Sequence, residues 1–157
     1  MNSSRLLAAL VGGFVAGALD IAFAISFAAY NGVAPIRLLQ TVASGLVGNA
    51  AFAGGVPMAA LGLALHFGMS LLWAGVFLAL VWLKSSLALY PFMSGIAFGT
   101  VVFFVMRLVV LPLSAFPYPV TFKPLATTLD LLSHTLLFGV PIAWAVRKAV
   151  VGVSSVA

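Results

Sequence analysis

Five side chains in this sequence could do chemistry, and each stands inside a run of hydrocarbon-like residues: Asp20, His66, Arg107, Asp130 and His134. Only 6% of the chain is charged and 64% is hydrophobic, so ionisable groups placed there are costly exceptions that point to function. One acid with two imidazoles is the making of a proton relay or a pH sensor, because histidine titrates near neutral pH. Two histidines at one depth on separate helices are also what the axial ligation of haem b needs, with Gly62, Gly68 and Gly139 making room. The plainest reading is that His66 and His134 each hydrogen-bond a neighbouring helix and lock its register, for about 0.6–2 kcal/mol apiece. For Arg107 and Asp130 the expectation is a structural ion pair, since either charge left alone in apolar surroundings is stranded at a cost of several kcal/mol. An anion or lipid head-group site at Arg107 is the functional alternative.

These groups have to be positioned by membrane helices. Crossing ~30 Å of hydrocarbon takes about 20 residues, and four runs are long enough, at 6–30, 58–83, 90–113 and 125–146. The first follows Arg5 and resembles a signal peptide, but its length and internal Asp20 favour a retained helix. Counting inward at 1.5 Å per residue puts Asp20, His66 and His134 roughly 14 Å from one boundary, and Arg107 and Asp130 roughly 8 Å from it. The expected picture has two layers, an outer Arg107/Asp130 pair and a central Asp20/His66/His134 cluster. Asp130 and His134 are four apart, so the carboxylate reaches either the imidazole or Arg107. Pro141 frees the carbonyl of Leu137 and kinks the helix one turn beyond His134.

Glycines signal close packing. Gly13 and Gly17, and Gly95 and Gly99, form two GxxxG patterns that let helix backbones meet. Gly13, Gly17 and Asp20 share one stripe at 100° per residue, which turns the acid into the bundle.

The segment 31–57 is too long for a turn and too apolar for a solvated loop. Arg37, Gln40, Thr41 and Ser44 recur at spacings of three and four against Ile36, Leu38, Leu39, Val42 and Leu46. The pattern predicts an amphipathic helix over 35–53, interfacial or, as the sharper alternative, re-entrant.

Composition excludes much else. A mean hydropathy of +1.28 over 157 residues leaves room for one bundle, 1–157, and no soluble domain. The net charge of +5 is scattered and forms no nucleic-acid patch. With no cysteine, disulfides and thiolate chemistry are absent. No soluble-type catalytic motif or metal-ligand spacing is present, so no enzyme, no metal and no resident cofactor is expected, haem b being the alternative. Arg5, Lys84, Arg147 and Lys148 on one side against Arg37 and Lys123 on the other put both termini in the cytoplasm. Trp82, Tyr90 and Trp144 then mark the inner interface, Tyr30 and Tyr118 the outer one, and Trp73 lies deep enough to be packing.

The runs PIRLLQTVASGLVG over 35–48, AFAGG over 51–55 and LGLALHF over 61–67 resemble a group of small uncharacterised bacterial membrane proteins. More loosely the chain is similar to YagU-type inner-membrane proteins, which share a histidine early in one span, a proline closing the next, and an acid followed four residues on by histidine. YagU-type proteins are longer, and their position corresponding to Arg107 differs. The resemblance implies an inner-membrane location and a link to acid tolerance, and carries no reaction. The expected protein is an all-α four-span bundle in the lipid bilayer whose Asp/His/Arg groups move protons or a small solute or sense pH. It is expected to act as a homo-oligomer or as a subunit of a membrane complex. The competing class is an accessory or scaffold subunit in which the same groups only hold the fold.

Overall fold

The computed structural model describes residues 3–151, which are all-helical, with no strand among them. Four helices are long and apolar enough to cross a membrane: α1 (Ser3–Tyr30), α3 (Gly55–Leu83), α4 (Pro91–Leu113) and α5 (Pro124–Val150). Between the first two lies α2 (Pro35–Val47), which tightens into a 3-10 segment over Gly48–Ala53. The chain is therefore a multi-pass membrane protein. Pro35, Pro91 and Pro124 open their helices at the first turn, where the missing N–H is not needed and the fixed φ is already helical. At the other end of α1, Gly32 has φ +78°, and the Val33 and Gly32 amides close onto the carbonyls of Ala28 and Ala29. That is the Schellman arrangement, which needs a residue free to turn left-handed.

Small residues decide which helices touch. α1 packs against α3 and α5, and α4 against α5. A methyl on Gly13 would meet Ala74 Cβ at 2.9 Å, and one on Gly17 would meet Ser70 Oγ at the same distance. Ser70 in turn donates to the Gly13 carbonyl at 2.5 Å. On the second seam, a methyl on Gly95 would lie 2.6 Å from Val140 Cα, and one on Gly99 would overlap the backbone carbonyl of His134. The stripe bearing Gly13, Gly17 and Asp20 thus faces the junction of α3 and α5, glycines against one and acid against the other.

The bundle is filled unevenly. In the half that holds the chain ends, Phe77, Phe98, Val102, Phe138, Ile142 and Val146 are buried in one apolar core. Here α3 and α4 meet through rings, Phe77 on Phe98 at 4.9 Å and Trp73 on Phe98 at 6.2 Å. In the other half α3 and α4 diverge around a cavity of about 550 Å³, with α2 forming part of its wall.

α2 is held in place at three points. Gln40 Nε2 donates to the Gly55 carbonyl at 3.1 Å, the Ala115 amide donates to the Gly45 carbonyl at 2.9 Å, and Gly62 lies directly against the Leu39 carbonyl. Its phase differs from the surface-helix expectation. Gln40 and Ser44 are buried, while Ile36, Leu46 and Val47 are exposed. Gln40 turns inward to an acceptor on α3, and Ser44 satisfies its hydroxyl within α2 by donating to the Thr41 carbonyl at 2.7 Å. Arg37 alone of the predicted polar stripe is exposed, stacked 3.9 Å over the Phe52 ring.

Backbone contact at the glycines makes a directional prediction. Gly99→Val and Gly62→Val are expected to lower stability by about 3 kcal/mol or more, above the usual overpacking cost because the obstacle is backbone. Gly75→Ala, where nothing lies within 4 Å, is expected to be neutral or slightly stabilising, by up to ~1 kcal/mol. Thermal unfolding of the purified variants in one detergent checks both.

Candidate functional site

Four helices bring the ionisable side chains into the wide half of the bundle, and two irregular turns aim them. Met106–Val110 and Ser133–Gly139 are π-helical. Each stands ahead of a proline inside its helix, Pro112 and Pro141. Proline offers no amide to the ladder and crowds the carbonyl four residues back. The ladder responds by reaching one residue further: the Leu111 amide donates to the Met106 carbonyl, and the Val140 amide to that of Thr135. Such wide turns rotate the side chains they carry and recur at functional positions. Arg107 and His134 sit on them.

The side chains link end to end. Ser133 Oγ donates to Asp20 Oδ1 at 2.6 Å. His134 Nδ1 lies 3.9 Å from that same carboxylate oxygen and 3.2 Å from Asp130 Oδ1. Asp130 Oδ2 accepts from Arg107 Nε at 3.3 Å, and Arg107 Nη1 donates to the Thr121 carbonyl at 3.0 Å. The guanidinium is flanked by the rings of Phe103 and Phe122, each 5.3 Å away. The run is Asp20–His134–Asp130–Arg107, with side-chain exposures of 13%, 18%, 37% and 20%. Arg107, Asp130 and His134 line the cavity, and Asp20 is next to His134 without lining it.

Hydrogen-bond partners fix the histidine tautomers. His134 Nδ1 is surrounded by oxygens, with the Asp130 carbonyl at 3.0 Å besides the two carboxylates. That nitrogen therefore carries the proton, leaving Nε2 with a lone pair when the ring is neutral. His66 Nε2 lies 2.9 Å from the Gly17 carbonyl and by the same argument is the protonated nitrogen, leaving Nδ1 as the acceptor.

The two-layer expectation is replaced by a different grouping. His134 joins Asp20 to the Arg107/Asp130 pair, because its ring lies one helical turn from Asp130 and level with Ser133. His66 stands apart from that run. Gly17 has no side chain, so the imidazole reaches the α1 backbone and takes its carbonyl instead of the Asp20 carboxylate. His66 shares with His134, Arg107 and Asp130 only the cavity wall. Sequence reasoning did not identify Ser133, which is 2% exposed and fixes Asp20. Its signal was present, as a hydroxyl beside His134 within an apolar run. The Thr121 and Gly17 carbonyls gave no signal, since backbone partners are not written in residue types. Thr127, on the stripe of Asp130 and His134, buries its hydroxyl without a partner.

Chemically the run suits proton exchange. His134 is in hydrogen-bond range of one carboxylate and a small ring movement from a second, so it can relay between them. Among the described residues, no three acid or imidazole side chains converge as a metal-ligand set. Haem ligation by His66 and His134 requires His66 either to leave the Gly17 carbonyl or to bind through Nδ1. Searches against known protein families, curated proteins and solved structures find no match to this chain.

The Arg107/Asp130 pair gives a sign test. Arg107→Leu or Asp130→Leu alone removes a charge from its main partner and is expected to cost about 1–3 kcal/mol, less than for a fully buried pair. The double substitution removes both charges and is expected to be more stable than either single. Denaturation of the three proteins in mixed micelles checks the order; a double variant worse than both singles rules out the pairing.

Proposed function

We propose that the protein moves protons, or a small solute coupled to them, across a bacterial inner membrane, with the Asp20–His134–Asp130–Arg107 run as its proton-handling element. The observation that carries this is the placement of one imidazole nitrogen between two carboxylates from different helices, at 3.2 and 3.9 Å. A purely structural histidine needs one acceptor. A second acid held ready by Ser133 adds a second proton position within a ring movement. The protein is not an enzyme in this reading, it carries no resident cofactor, and it works as a homo-oligomer or within a larger membrane complex. The resemblance to small uncharacterised bacterial membrane proteins, and more loosely to the longer YagU-type inner-membrane proteins, supports the location.

α2 belongs to the membrane-embedded body in this proposal. Its inward polar stripe and outward Ile36, Leu46 and Val47 suit apolar surroundings better than a water surface, which favours the re-entrant reading of 35–53. Irregular backbone at such depth is tolerated where protein covers it, and the three attachments of α2 supply that cover.

Reconstituted liposomes test the function. The parent protein is expected to dissipate an imposed pH gradient, and Asp20→Asn to slow this at least about tenfold, in the range set by loss of one acid–base group. Equal flux in both, with folding intact, removes Asp20 from the path. No flux in either moves the assignment to the scaffold class.

Orientation has its own test, clean because the chain has no cysteine. A membrane-impermeant maleimide is expected to label Lys123→Cys in intact cells and Ser85→Cys only after permeabilisation. The reverse pattern overturns the cytoplasmic placement of the termini.

A further inference from the structure

The walls of the cavity between α3 and α4 are largely hydrocarbon and aromatic, with Leu38, Val42, Met69, Phe103, Val110 and Phe116 among them. At about 550 Å³ it is the size of a small organic ligand. Leu46, on the same wall, is 59% exposed, so the cavity reaches the outer face of the bundle.

Two charges line this space, Arg107 and Asp130, and they answer each other at 3.3 Å. An ion of either sign entering here meets a like charge in that pair, and brings a charge that nothing on the wall offsets. Such a charge is expensive in apolar surroundings. Of the two imidazoles on the wall, His134 turns Nδ1 to Asp130 and to Asp20, so a proton on its ring is answered by carboxylates of the protein. His66 turns Nε2 to the Gly17 carbonyl. The paired charges thus favour an uncharged occupant.

What the lining offers that occupant is hydrogen-bond donors. Of the five N–H groups of a guanidinium, Arg107 spends Nε on Asp130 and one on Nη1 on the Thr121 carbonyl, which leaves three. Among the described residues nothing else accepts from them, and the side chain lines the cavity. The hydroxyls of Thr41 and Ser114 on the same wall give their protons to the carbonyls of Arg37 and Leu111. Arg107 is therefore the polar handle of an otherwise apolar space. Donors left unmet in such a place are costly. The group that meets them without adding charge is a carbonyl oxygen, which has two lone pairs to offer.

We infer that this cavity binds an uncharged, lipid-soluble carbonyl compound, its oxygen accepting from the remaining N–H groups of Arg107 and its hydrocarbon body lying along α2 and α3. The inference goes beyond the proton-handling reading and does not rest on it, since it needs neither Asp20 nor a proton on His134.

Three probes with similar hydrocarbon chains and different heads test it: decanamide, decyl sulfate and decyltrimethylammonium, the last two permanently charged. Equilibrium binding of each radiolabelled probe to the full chain in phosphatidylcholine nanodiscs is counted against empty nanodiscs, at about pH 8, above the ordinary range of imidazole. Decanamide is expected to bind saturably, and both ions at least about tenfold more weakly. Arg107→Lys keeps a charge opposite Asp130 but loses the fork of donors. It is expected to weaken decanamide binding at least about tenfold, as loss of a hydrogen bond to a charged group requires. Gly45→Phe fills the cavity from α2, where a Cβ would meet only Ser114 Oγ at 3.8 Å. It is expected to remove binding with helical content unchanged. The inference is overturned if decanamide does not saturate, if either ion binds as tightly, or if Arg107→Lys or Gly45→Phe leaves decanamide binding untouched.

Discussion

Everything polar in the wide half of this bundle depends on one mismatch: two carboxylates and a single guanidinium held among membrane-spanning helices. Water would dissolve the problem, since opposite charges a few ångströms apart interact by only about 1 kcal/mol there. Inside a membrane protein they interact far more strongly, and an unmatched charge has to find a partner or a proton. Asp130 divides its two oxygens between Arg107 and His134. Asp20 receives the Ser133 hydroxyl, a dipole and not a charge. The position of the His134 proton is therefore the variable on which the electrostatics of the whole region turns.

The fold makes room for that mismatch by packing its two halves on different rules. Where the chain ends lie, glycine and alanine bring backbones together and aromatic rings fill what remains, so the core is dry and dense. Two internal prolines, Pro112 at the wide end and Pro141 beside the packed core, interrupt the helical ladder. The π turns that result widen α4 and α5 where Arg107 and His134 stand. α2 then closes the gap from the side. Its attachments are one backbone hydrogen bond, one from the Gln40 side-chain amide and a glycine contact, none of which depends on charge. A wall held this way keeps its place whatever the protonation state behind it.

Much of this was legible in residue types. Four membrane-spanning helices follow from apolar runs of sufficient length, because in lipid only a continuous helix satisfies the backbone. The spacing of Asp130 and His134 announced their contact, since four residues on a helix leave little choice. What was illegible depended on backbone. His66 finds a carbonyl that only a glycine exposes, and the reach of that ring cannot be read from the word His. The phase of α2 was misleading for a related reason. Gln40 and Ser44 mark a polar stripe, and polarity alone does not say whether its partner is water or the carbonyls of the protein. Pro141 marked the place where the ladder is disturbed, and the π turn just ahead of it, which carries His134, was not written in residue types.

On the proton-handling proposal, the arrangement favours exchange over continuous conduction. Below Asp20 and His66 the hydroxyls are spent: Ser70 on Gly13, Thr100 on Ile96 and Thr135 on Leu132. Beyond them come the rings of Trp73, Phe77 and Phe98, which offer no relay. The other ionisable groups toward the chain ends, Arg5, Lys84, Arg147 and Lys148, lie near helix termini. None of the described side chains in the packed half continues the hydrogen-bonded run beyond Asp20. A wire needs an unbroken line of exchangeable groups, and this line stops at mid-bundle. On the proton-moving proposal, transfer to the far side would need α3 and α4 to part where the rings now meet. The π turns ahead of Pro112 and Pro141 are the places where α4 and α5 have the fewest regular hydrogen bonds to oppose such a tilt.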